Sequence, residues 1–136
     1  MPSRRQRLTG KGRERSSFAG VPRAVMETAK YRGLSASARA LLLELSFQFK
    51  GGNNGDLGAG WALMRDRFGW RSPGTLARAK AELIGAGFIT VARQGGRNRC
   101  SLYALTWQPI DDCLDRDGAS KLDIKPTRTP LGTWRD

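Results

Sequence analysis

At Gly87 the apolar period of the chain changes from that of a helix to that of a strand. Upstream, Leu76, Ala79, Leu83 and Ile84 recur at the spacing that lines one helix face. Downstream, FITVA (88–92) and CSLYALTW (100–107) are β-branched and aromatic, as strands are. The helix is punctuated at both ends. Ser72-Pro73 offers a capping hydroxyl and a preset first φ, and Gly87 offers the freedom to stop. QGGRNR (94–99) contains a Gly-Gly turn flanked by arginines, so the two strands are expected to form a β-hairpin with a basic tip.

What precedes this unit is helical. LSASARALLLELSFQFK carries Leu34, Ala38, Leu41, Leu42, Leu45 and Phe49 on one face, predicting a helix over roughly 35–50 with Ser35 as its cap and Gly51-Gly52 as its end. GGNNGDLGAG reads as a loop of positive-φ turns, with room for a short strand near Asp56-Leu57. WALMRDRFGW resumes the helical period over about 59–68, with Trp61, Met64 and Phe68 on one side, Gly69 closing it and Trp70 exposed at the turn. A shorter helix is expected after Pro22, where Phe18, Val21, Val25, Met26 and Tyr31 supply apolar positions before Gly33. The fold class expected is mainly α with a β-hairpin (α+β).

The flanks differ in kind. MPSRRQRLTGKGRERSS (1–17) has almost nothing to bury and reads as a disordered basic arm; residues 18–107 form the domain, and 108–136 a polar tail packed on it through Ile110, Leu114, Leu122, Ile124, Leu131 and Trp134. Charge sharpens the division. Of a formal net +12, the arm carries +5 and residues 65–99 carry +6, so a polyanionic partner is expected, nucleic acid before membrane. Two cysteines and no histidine make neither a disulfide framework nor a complete zinc site, and no apolar stretch reaches the length of a membrane span. No metal and no cofactor are expected, and the location expected is the cytoplasm, at the nucleoid. Enzyme chemistry finds no nucleophile elbow or glycine-rich phosphate loop, and Asp111, Asp112, Asp115 and Asp117 lack the closing residues of a calcium loop. The chain is therefore expected not to be an enzyme.

Three helices, the third capped, followed by an arginine-bearing hairpin are the plan of a winged helix-turn-helix. SPGTLARAKAELIGAGFI resembles the recognition helix and first wing strand of GntR-type and MarR-type bacterial regulators, with Ser72, Thr75, Leu76, Arg78, Ala79, Glu82, Leu83, Gly87, Phe88 and Ile89 in the places of that pattern. Lys80 departs from it, standing where the pattern has a core leucine. More broadly, YRGLSASARALLLEL, NNGDL, SLYALTWQPIDD and LDIKPTRTPLGTW are similar to segments of small helix-turn-helix proteins of bacterial plasmids, prophages and integrative elements. The resemblance implies a transcriptional regulator of a mobile element. A replication-initiation or excision accessory protein shares the fold, and RNA binding is the alternative of another class.

Physics assigns the candidate residues. At about 100° per residue, Arg78 falls nearly opposite the apolar stripe, with Gly74 and Gly85 near it and Thr75 on its flank. Arg78 and Thr75 are expected to read bases in a DNA major groove, with Arg71, Ser72 and Gly74 close to phosphate or base. Arg93, Arg97, Asn98 and Arg99 form the basic wing, and Arg4, Arg5, Arg7, Lys11, Arg13 and Arg15 the arm that follows the backbone or minor groove. A homodimer is open, although no long heptad pattern is present, and the acidic tail is a candidate contact for a protein partner.

Overall fold

The computed structural model describes residues 17–136, so the arm residues Arg4, Arg5, Arg7, Lys11, Arg13 and Arg15 lie outside the described part. Two single-turn helices come first, α1 (Arg23–Met26) and α2 (Ala29–Arg32). They are followed by α3 (Ala36–Gln48), β1 (Leu57–Gly58), α4 (Trp61–Phe68), α5 (Pro73–Gly85), β2 (Ile89–Arg93) and β3 (Leu102–Leu105). The strands form one antiparallel sheet in the order β1-β3-β2. This is an α+β architecture, with helices packed on one face of a small sheet.

The helix ends follow from local chemistry. Ser35 accepts from Ala38 N and Ser72 from Thr75 N, each satisfying a donor that the first turn leaves unpaired. At the far end of α5, Gly87 takes φ +83°, Gly87 N donates to Ile84 O and Phe88 N to Leu83 O, a Schellman closure that delivers Phe88 into the core. α3 ends earlier than its glycines suggest. Phe49 is already extended, and Asn53 clasps the exit, donating to Gln48 O while accepting from Lys50 N.

Leu41, Leu42 and Leu45 of α3 meet Leu76, Ala79 and Leu83 of α5 in the main core, under Phe88, Ile89, Tyr103 and Leu105. Ile84 does not join them. It is 39% exposed, because α5 buries only the narrow 76-79-83 row against α3 and Ile84 turns past its edge. Near the N-terminus only Val25 is fully buried; Met26 and Phe18 face outward.

β3 is buried along its whole length. Tyr103 and Leu105 join the helical core, while Ala104 faces a second cluster with Ala92 and Ile110, flanked by Leu122 and Ile124. Residues 108–136 form that second cover. They hold to β2 through Asp123 N to Ala92 O, and beside the sheet through Asp111 N to Asn54 O and Gly132 N to Thr106 O. Leu114 and Leu131, two of the six expected anchors, are exposed. Among the described residues no helix is long and apolar enough to cross a membrane.

Candidate nucleic-acid interface

The exposed side of α5 is built on a helix locked from behind. Leu76, Ala79 and Leu83 are buried in the core, and Glu82 reaches across to accept from Ser35 N at 2.7 Å, tying α5 to the start of α3. Lys80 runs its stem along the fold and donates its ammonium to Ala59 O at 3.1 Å, which is how a lysine occupies a place where leucine was the pattern.

On the open side, Arg71, Ser72, Gly74 and Arg78 are exposed and Thr75 is half-buried. They form one group. Arg78 Nη2 donates to Thr75 Oγ1 at 3.3 Å, and its guanidinium lies over Gly74, where a Cβ would stand 3.4 Å from Nη1. Ala77, Ala81 and Gly85 continue the surface with small residues, all exposed. Neither Arg71 nor Arg78 pairs with a carboxylate among the described residues.

The turn that presents this group is fastened by Trp70 together with Glu44, a residue the sequence left unremarked. Trp70, expected at the surface, is half-buried against the core and donates Nε1 to Glu44 Oε2 at 2.7 Å. Burial pushes the Glu44 carboxyl above the ordinary glutamate range, and the bond from Trp70 opposes that rise. No local pattern in the sequence pairs positions 44 and 70, so only the tertiary packing reveals the contact.

The hairpin is built differently from its expected turn. Its tip is Arg97-Asn98, not Gly95-Gly96: Gly96 and Arg99 exchange backbone hydrogen bonds, and Asn98 takes φ +59°. Gly95 is consumed by closeness of the strands, since a Cβ there would stand 2.6 Å from Ser101 N. Arg97 and Asn98 are exposed at the tip. Arg93 and Arg99 are engaged at the surface: Arg93 donates Nε and Nη2 to Cys100 O at 3.1 and 2.8 Å, and Arg99 pairs with Asp123 at 3.3 Å. Asp123 also accepts from Gln94 N at 2.8 Å, so one tail carboxylate holds both sides of the hairpin just below its tip.

Elsewhere, the tail acids serve the backbone. Asp111 accepts from Asn54 N, and Asp115 from Asp117 N and Ala119 N. Among the described residues no group of three or more histidine, cysteine or acidic side chains is arranged to hold a metal. Cys100 is an exposed thiol and Cys113 a buried one, its thiol pushed up by burial and then by Asp56 and Asp111. No family model matches the chain, and no curated protein or solved structure matches it either.

Proposed function

We propose that the chain is a winged helix-turn-helix protein that binds double-stranded DNA sequence-specifically, with α5 as the helix that enters the major groove. The observation that carries this reading is the bare face of α5, where exposed Arg78 and half-buried Thr75 stand among Gly74, Ala77, Ala81 and Gly85. Small neighbours let the helix backbone approach base edges, and an arginine there can bond guanine O6 and N7 together while threonine meets a thymine methyl or an acceptor. Arg71 and Ser72, at the helix start, suit phosphate oxygens, helped by the Gly74 N–H, the one first-turn donor left open beside Pro73, which has none, and Thr75 N, which Ser72 takes. Ser72 keeps its hydroxyl proton for this because its oxygen only accepts in the cap.

The hairpin fits the part of the wing, with Arg97 as its free cation, reaching the backbone or minor groove beside the helix. The order α3, α4, α5, β2, β3 supports the assignment, and β1 adds a third strand that anchors the hairpin to the helices. A role in regulating transcription of a mobile element rests on the resemblance of the sequence to proteins of such elements. Footprinting over promoter, origin and recombination-end sequences separates regulator from initiator or excision factor.

The test is selection from random duplexes with the wild type and Arg78→Ala. The wild type should enrich a motif containing guanine, and Arg78→Ala should lose about 1–3 kcal/mol of preference at that position while keeping weak, salt-sensitive affinity. An unchanged motif, or stronger binding to structured RNA than to any duplex at the same salt, contradicts the proposal.

A further inference from the structure

α3 is apolar on two opposite sides. Ala38, Leu41, Leu42 and Leu45 fill the core, yet on the outer side Leu43 and Phe47 remain 51% and 50% exposed. Ala36 and Ala40, also exposed, continue their row toward the helix start. A helix that is apolar all round is ordinarily covered all round.

Ala36, Ala40, Leu43 and Phe47 follow one another at steps of four, three and four residues, the d, a, d, a spacing of a coiled-coil seam. The rims of the row carry opposite charges. Arg39 falls at g and Glu44 at the following e, on the two flanks of the same face. When two such helices lie parallel, the g side chain of one faces the e side chain of the other five positions on, so each Arg39 meets the partner helix's glutamate at that place. Antiparallel helices would instead set like flank against like flank. Arg39 is held at the rim by Tyr31, whose ring lies 5.2 Å from its guanidinium, and by a bond to Arg32 O. Glu44 gives one oxygen to Trp70 and keeps the other. Beside the row, a mostly apolar groove of about 300 Å³ is lined by Val21, Met26, Tyr31, Ala40 and Leu43 together with Arg39, with room for the flank of a second helix.

We infer that this face joins two copies of the chain through parallel α3 helices related by a two-fold axis along them. The exposed apolar area of the row is on the order of a few hundred Å², in the range that marks an interaction site but below the ~800 Å² per partner of a standard interface. Association is therefore weak and reversible. It does not rest on the DNA reading, and it is measured without DNA.

Sedimentation velocity of the full chain between about 5 and about 500 µM, a span suited to a weak interface, should show the average mass rising from 15.0 kDa toward twice that value. Leu43→Glu should hold the mass at one chain throughout, with unchanged circular dichroism and melting. Ala40→Glu, at a second exposed position, makes the same measurement should Leu43→Glu fail to fold. Orientation is read from Ala36→Cys in a Cys100→Ser background, which should give a reducible cross-linked dimer on mild oxidation. In parallel helices position 36 faces itself, whereas antiparallel packing on the same row separates the two by roughly 16 Å. A mass fixed at one chain, or association that survives both acidic substitutions, overturns the contact; association without the cross-link overturns the parallel arrangement.

Discussion

Asn54 shows how much of this fold hangs on single polar side chains. It is fully buried, accepts from Leu105 N at 2.7 Å and donates to Leu105 O, Gln108 O and Pro109 O, so one amide joins the 51–56 loop, β3 and the start of the tail. Asn54→Ala leaves the Leu105 N–H without a partner in the core. The expected cost is about 2–4 kcal/mol, read from denaturant unfolding, because an unmade buried hydrogen bond costs the full desolvation of its groups. A loss under 0.5 kcal/mol, the usual scale of a surface change, would contradict this role. In the sequence Asn54 was legible only as a turn residue, since its partners lie some fifty positions away. Gly87 was half legible. Its positive φ follows from the helix end, but the approach of Thr133, whose carbonyl oxygen would stand 2.4 Å from an added Cβ, depends on where the tail goes. Ile84 misled because spacing alone does not say how wide a stripe the neighbouring helix covers.

Among the elements, the long helices and both hairpin strands were readable because period and caps agreed with the packing that followed. The hairpin turn was not. Gly-Gly is the stronger local signal, but strand closeness at Gly95 takes that glycine and the reversal moves on to Arg97-Asn98. Nor could the sequence show that Asp123 fastens the hairpin from outside it. Asp123→Asn removes a negative charge and frees Arg99 from its ion pair. Under the DNA-binding proposal, the substitution should tighten duplex binding at low salt and steepen its salt dependence by up to about 0.9 in log–log slope, the value of one more phosphate contact. An unchanged slope in a salt-dependent titration would mean that Arg99 stays away from the DNA.

At the scale of the whole molecule, residues 108–136 complete the structure. They cover the second face of β3, and Lys30 Nζ donates to Thr133 O while Thr133 Oγ1 donates to Gly87 O, tying α2 to the end of α5. Asp136 extends this strap by accepting from Ala29 N and Lys30 N at the start of α2, bonds that hold its carboxyl below the ordinary aspartate value. A lowered pKa stabilises the docked strap above the ordinary value, near 3.9, and the effect is lost as pH falls through the folded-state value. The amide signals of Ala29 and Lys30 should therefore titrate with a midpoint below about 3.9; a midpoint at or above it would show the contact absent in solution.

α5 turns Leu76, Ala79 and Leu83 into the core and leaves its outer face bare, and the proposed function depends on that face meeting DNA. The most direct measurement is amide-shift mapping of the full chain titrated with a mixed-sequence duplex of about 20 base pairs at low salt, where non-specific phosphate contacts suffice for binding. The proposal predicts the largest shifts at residues 71–81 and at the hairpin tip, 96–98, with α3 and the 108–136 cover nearly unmoved. Shifts centred on α3 or on the acidic tail, with residues 71–81 unmoved, would contradict it.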